Sequence, residues 1–174
     1  KEVYLQQADE QEILRKHRSL QYFVRTMAVQ RGFKVTLEEE ANNGGRVDVG
    51  LLKDEIRIAI EISVTNTVEY EVQNILKCLD SNYSLVYMIS DDEKHLQNIK
   101  EQSLKVIPKK LHSKIHFFPS KELSLYLDAL TPTSIIKEKR VRGYRVKVNY
   151  KTEDGDMNKQ KSITNIIMDA LRKK

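Results

Sequence analysis

Ile56, Ile58, Ile60, Ile62 and Val64 recur at every second position of one segment. Only an extended chain lines residues i, i+2 and i+4 on one side, so this segment is a strand with one strongly apolar face. Arg57, Ala59, Glu61 and Ser63 occupy the other parity, so Glu61 faces away from the apolar side. Arg46 to Leu52 precedes the strand across a turn at Lys53 to Glu55, and the two segments read as a hairpin. With the turn centred on Asp54 and Glu55, Asp48 falls opposite Glu61. Facing residues of an antiparallel pair have Cβ atoms about 4.5–5.5 Å apart. Two carboxylates that close repel unless a cation lies between them. The plainer alternative is a surface strand with two chance acids and a salt bridge elsewhere.

The surrounding pattern alternates helix and strand. Ile13, His17, Leu20, Val24 and Met27 fall at helical spacing between about residues 9 and 31, with Gly32 as a C-cap. Phe33, Val35 and Leu37 then alternate as a strand that ends in the loop Ala41 to Gly45. Asn66 is the expected N-cap of a second helix with Val72, Ile75, Leu76 and Leu79 as its buried stripe. Leu85 to Ile89 is continuously apolar, as in a parallel strand covered on both faces. Ser90 with Glu93 marks a third helix carrying Leu96, Ile99 and Val106. A strand at Lys114 to Phe118 and a helix after Ser120 with Leu123, Leu127 and Leu130 complete the body. Thr131-Pro132-Thr133 marks a boundary, giving a body at 1–130 and an extension at 131–174 packed on it. In the extension Tyr144 to Tyr150 alternate as a strand, and Ile163, Ile166, Ile167, Ala170 and Leu171 define a final helix.

Charge separates the same two parts. The segment 137–174 holds 12 Lys and Arg against 5 Asp and Glu, while the remaining 18 basic and 20 acidic residues leave the body slightly negative. A basic extension suits a phosphate backbone, although Lys-rich termini are also common as solvated tails. No apolar run approaches the roughly 20 residues that a membrane span needs, so no membrane partner is expected. The chain opens on Lys1 and carries neither an apolar leader nor a small-residue cleavage site, so it reads as a piece of a larger protein with no secretory signal. The single cysteine, Cys78, fits a reducing, cytoplasmic location.

The informative residues are GRVDVG, ending at Gly50, and IAIEIS, Ile58 to Ser63. Placed in the order helix, strand, Asp-bearing strand, E-x-x strand, helix, strand, they resemble the PD-(D/E)XK nuclease superfamily, which includes restriction enzymes and archaeal Holliday-junction resolvases. The resemblance covers residues 9 to about 90. It implies an α/β fold with a restriction-endonuclease-like α-β-β-β-α-β core, a mixed sheet flanked by helices, here with a basic strand-helix extension. It also implies that Asp48, Glu61 and the backbone carbonyl of Ile62 hold Mg²⁺ or Mn²⁺, with Glu38 or Glu40 as a third ligand or a support behind the ligands; three consecutive glutamates are equally a solvated strand end. One or two such ions would activate water for phosphodiester hydrolysis.

Two positions depart from the family pattern. Val47 stands where proline is usual, and Ser63 stands where the triplet has its lysine. A hydroxyl can orient a water but brings no positive charge, so either another cation compensates or the domain binds DNA without cutting it. Ser63 shares the Glu61 parity, so its hydroxyl is expected to point into the same site. On the following helix Glu71, Asn74 and Lys77 lie three residues apart; Lys77 is the candidate for a migrated lysine, with Glu71 and Gln73 as supporting positions. An exposed helix-surface lysine is the alternative. Arg46, with Arg145, Lys147 and Lys151 on one parity of the late strand, is expected to contact DNA.

Other chemistries have little support. His112 and His116 would not share a face and lack a third ligand, no G-x-x-x-x-G-K-[ST] motif occurs, and Ser63 has no base at nucleophile spacing. His17 and Arg18 could reach phosphate, though a half-buried structural histidine is the ordinary reading. The sequence is thus expected to form a Mg²⁺-dependent DNA endonuclease-like domain, with DNA, a parent chain carrying an ATPase and a second copy in a homodimer as partners. The alternative is a catalytically inactive DNA-binding or assembly module on the same fold.

Overall fold

The computed structural model describes residues 2–41 and 44–130, together with 139–141, 144–146, 163 and 165–167. The chain runs α1 (Glu2–Gln30), β1 (Lys34–Glu40), β2 (Arg46–Lys53), β3 (Ile56–Ile62), α2 (Val68–Leu79), β4 (Leu85–Ile89), α3 (Glu93–Val106), β5 (Ile115–Phe118) and α4 (Leu123–Ala129), with short 3-10 turns on either side of β5. Among the described residues these strands form a five-stranded sheet in the order β1-β2-β3-β4-β5. β1, β2 and β3 pair antiparallel, whereas β3, β4 and β5 are parallel, so the fold is α/β with a mixed sheet flanked by helices.

Side-chain parity decides how the sheet is covered. Ile58, Ile60 and Ile62 of β3 and Leu85, Tyr87 and Ile89 of β4 pack with Val24 and Ala28 of α1 and Leu123 and Leu127 of α4. On the other face Ala59, Val86 and Met88 meet Ile75 and Cys78 of α2 and Leu96 and Ile99 of α3. β4 is therefore apolar at every position because neither of its faces meets water. Ile163 and Ile167, from the expected final helix, are buried in the α1–α4 cluster.

The hairpin register is the expected one. Val49 faces Ile60 and Lys53 faces Ile56, with Asp54 in the left-handed conformation at the turn (φ 54°). Gly32 also ends α1 as expected: its φ of 80° turns the chain so that Phe33 N–H reaches the Ala28 carbonyl at 3.1 Å and Gly32 N–H the Val29 carbonyl at 3.0 Å.

Several boundaries differ from the pattern-based expectation. α1 begins at Glu2 rather than near residue 9. The second helix is capped by Thr67, whose hydroxyl accepts the Tyr70 N–H, because the expected cap, Asn66, instead gives its side-chain N–H to Glu71. Asp92 rather than Ser90 caps α3, since Ser90 lies buried at the end of β4. Past the body, β6 (Lys139–Val141) and β7 (Tyr144–Val146) pair antiparallel; β6 was not expected, and 147–150 of the expected strand lie outside the described residues.

The regular pleat is interrupted in β1 and β2. Leu37 packs on the α1 face, yet Glu39, two residues on, lies across the opposite side of the sheet, where it meets Arg57 at 2.8 Å. Regular alternation would keep both on one face. Glu38 between them has a φ of 51°, the left-handed region, which reverses the parity of β1. β2 reverses at the matching position, with Val47 in the α2–α3 cluster and Val49 in the α1–α4 cluster. The register is unbroken on both sides, Leu37 facing Val49 and Glu39 facing Val47, so the two kinks at Glu38 and Asp48 lie side by side.

Glu39 can cross the sheet only because Gly50 has no side chain: a Cβ there would stand 1.3 Å from Glu39 Oε2. Gly50→Ala must expel the carboxylate and break its pair with Arg57. The expected cost is about 1–2 kcal/mol by denaturant unfolding, largely cancelled in a Glu39→Ala background because the clash and the ion pair are then already gone.

Candidate functional site

The kinked strands open one wall of a cavity of about 480 Å³ between α1 and α2. Asp48 of β2, Glu61 of β3, Lys77 of α2, and His17 of α1 all line it, as do Glu38 and Arg46. Continuing the register places Asp48 across from Glu38 on one side and Glu61 on the other, so three adjacent strands each present a carboxylate along one line.

Glu61 is the buried member, only 2% exposed beneath α2. It does face away from the isoleucines, but the opposite face is itself covered, which single-strand parity could not reveal. Its Oε1 lies 3.2 Å from Lys77 Nζ and accepts the Cys78 thiol at 3.1 Å. Burial, and next the negative charge of Asp48, push the Glu61 carboxyl up to about 7 despite the opposing pull of Lys77. Burial and then the Glu61 charge hold the Cys78 thiol far above its ordinary value, so it stays protonated and donates to Glu61.

Asp48 sits at the edge of the same cavity. Its Oδ2 accepts the Ile62 N–H at 2.7 Å and lies 3.2 Å from His17 Nε2. The hydrogen bond to Asp48 raises the His17 imidazole above its ordinary value, with the charges of Asp48, Glu38 and Glu71 acting in the same direction against partial burial. One helical turn along α1, Gln21 donates to both Glu38 Oε1 and the Asp48 carbonyl, tying α1 to the kink.

Lys77 is placed by α2, and its neighbours explain the placement. Besides Glu61, its ammonium donates to Asn74 Oδ1 at 3.1 Å and to the Arg46 carbonyl. Asn74 in turn donates to Glu71 Oε2 at 3.2 Å, and Asn66 donates to Glu71 Oε1 at 2.9 Å. Glu71, 1% exposed, therefore anchors a network behind Lys77.

Some expected site residues do not join. The Ser63 hydroxyl was expected to point into the site, but it is buried and lies 3.1 Å from His95 Nε2 of α3, outside the cavity lining. The reason is positional: beyond the end of β3, Ser63 N–H bonds the Ile89 carbonyl, which seats the residue beside β4 and the start of α3. Gln73 and Glu40 are exposed and also outside the lining, so of the two upstream glutamates only Glu38 reaches the cavity. Arg46 is exposed at its rim. The side chain of Arg145, and Lys147 and Lys151 altogether, lie outside the described residues.

The sequence set His17 between a phosphate contact and a half-buried structural histidine and did not pair it with Asp48, the partner it has in the structure. The one available signal was that it lies a turn before Gln21 on the inner side of α1. Chemically, the donors are hard oxygens of the kind that bind Mg²⁺ or Mn²⁺, and a cation would oppose both causes that raise the Glu61 carboxyl, its burial first and the charge of Asp48 second. As the side chains stand, no three His, Cys, Asp or Glu groups among the described residues already surround a single point. No helix among the described residues is long and apolar enough to cross a membrane. Set against family models, curated proteins and solved structures, the chain gives no match.

Proposed function

We propose that this cavity is the site of a divalent-metal-dependent DNA endonuclease on a restriction-endonuclease-like core, working within a larger DNA-processing protein and hydrolysing phosphodiester bonds. The observation that carries this reading is the convergence of Asp48, Glu61 and Lys77 from three different elements on one cavity, with Lys77 Nζ 3.2 Å from Glu61 Oε1. Two acids and a lysine at a buried wall form the set of charges that phosphodiester hydrolysis needs: carboxylates for a cation and an ammonium for the developing negative charge. The resemblance of the strand-borne Asp48 and Glu61 to the PD-(D/E)XK pattern points the same way.

In this reading the carboxylates of Asp48 and Glu61 and the Ile62 carbonyl would hold Mg²⁺ or Mn²⁺, with Glu38 as the nearest further carboxylate. A bound divalent ion polarises a phosphoryl oxygen and lowers the pKa of water. His17 fixes the orientation of Asp48, as the Ile62 N–H does from the opposite strand. Lys77 supplies the charge that Ser63 lacks, from a different backbone origin. Arg46 at the rim, with Arg145, Lys147 and Lys151 of the extension, would meet the phosphate backbone.

The second reading is a DNA-binding or assembly module without catalysis, and Ser63 in place of the triplet lysine favours it. Both readings keep DNA as the partner, but only the first requires the acidic pair to take a cation. Calorimetric titration with Mn²⁺ should give at least one site in the wild type that is lost in Asp48→Ala and in Glu61→Gln. Equal binding by all three proteins contradicts the proposal.

A further inference from the structure

The cavity has two chemically different halves. Its floor is charged, with Asp48, Glu61, Lys77 and His17, whereas its mouth carries Leu14 of α1 and Tyr70 of α2. Leu14 and Tyr70 are each 57% exposed, although both are large and apolar in body. Both add exposed apolar area at the edge of a buried charged cluster, where a ligand entering the cavity would meet it. The backbone of Tyr70 is set by the first turn of α2, where its N–H is bonded to the capping Thr67 hydroxyl at 3.3 Å.

Resting on the nuclease reading, we propose that Tyr70, with Leu14 of α1 lining the same cavity, forms a subsite for an unpaired nucleobase, so that the site takes single-stranded DNA in preference to duplex. A phosphodiester placed over Asp48 and Glu61 carries a base on the adjoining sugar, and the cavity lining offers it the ring of Tyr70 and the side chain of Leu14 beside the charged Arg46. An aromatic ring attracts any base face, whatever the sequence. In a duplex each base face is already covered by its neighbours, and uncovering one costs free energy, whereas an unpaired strand offers its faces directly. The cavity, about 480 Å³ and partly open to solvent, has room for a nucleotide-sized group.

The test is fluorescence-anisotropy binding in EDTA, which reads the subsite whether or not the protein cuts. The probes are a labelled mixed-sequence oligonucleotide, its blunt duplex, and the same single strand with abasic sites, each against wild type, Tyr70→Ala and Tyr70→Phe, with circular dichroism to verify folding. The wild type should prefer the single strand over both the duplex and the abasic strand. Tyr70→Ala should weaken single-strand binding about 10-fold or more and leave duplex binding unchanged, while Tyr70→Phe, which keeps the ring, should bind like the wild type. Equal affinity of the wild type for abasic and normal strands, or an equal effect of Tyr70→Ala on single strand and duplex, overturns the subsite while leaving the nuclease reading standing. Failure of the wild type to bind any of the three, both in EDTA and with Ca²⁺ in its place to offset the charge of Asp48 and Glu61, removes DNA as the partner, and the subsite with it.

Discussion

Lys77→Ala is expected to lower DNA cleavage by a factor on the order of 10² or more, the scale for losing one preorganised charge at a reacting phosphate. The effect should appear in the single-turnover rate at saturating DNA, because the charge is needed most where negative charge develops. Lys77 is not a surface lysine: its side chain is 18% exposed, and its ammonium is held by Glu61, Asn74 and the Arg46 carbonyl. That preorganisation is what a flexible exposed lysine would lack. Returning a lysine to the usual triplet position should not rescue the variant. Ser63 lies beside His95 rather than in the cavity, so a lysine at 63 would have to displace His95 or bury its charge. A wild-type rate in Lys77→Ala, or recovery in Lys77→Ala/Ser63→Lys, would show that the charge comes from elsewhere.

Glu61→Gln is expected to make the metal-free protein more stable at pH 8 and to leave it nearly unchanged at pH 4. In the folded chain Glu61 keeps its proton up to about pH 7, against an ordinary value of 4.5. Between these values the folded state binds more protons than the unfolded state, so wild-type stability falls as pH rises through this window, and the loss is complete above it. The displacement corresponds to about 3 kcal/mol. Glutamine carries no such penalty, and the pull of Lys77 is already contained in the value of about 7, so a gain on the order of a few kcal/mol is expected at pH 8. Urea unfolding at the two pH values in EDTA measures it. Saturating Mn²⁺ should reverse the order by stabilising only the protein that binds it. A buried acid that weakens the empty fold and is relieved by a cation is what a metal site should look like thermodynamically, whereas a structural salt bridge would make Glu61→Gln destabilising at pH 8.

Much of this arrangement was legible in the sequence because strands and tight turns obey simple counting. Alternation from Ile56 to Val64 and the turn at Asp54 fixed the β2–β3 register, and with it the approach of Asp48 and Glu61. Helical spacing likewise put Lys77 on the next helix. What escaped depends on tertiary contact or on backbone conformations that residue identity conceals. The kink at Glu38 is one: left-handed backbone is the habit of glycine, and three consecutive glutamates read as an ordinary solvated strand end. The first turns of α1 escaped periodicity because the polar run Asp9 to Glu12 separates Val3, Tyr4, Leu5 and Ala8 from the stripe that begins at Ile13. Ser63 keeps the Glu61 side of the sheet, as alternation predicts, but two residues further along that side is covered by α3, so the hydroxyl meets His95 instead of the cavity. The cap at Thr67 was missed since Asn66, the better N-cap by type, is drawn instead to Glu71.

The most direct test of the central claim is strand scission of single-stranded, duplex and branched DNA by the wild type and by Asp48→Ala, with Mg²⁺, with Mn²⁺ and with EDTA. The account predicts cleavage of at least one substrate by the wild type with a divalent ion, abolished by EDTA and by Asp48→Ala. No cleavage by the wild type with either metal, or equal cleavage by Asp48→Ala, would contradict it.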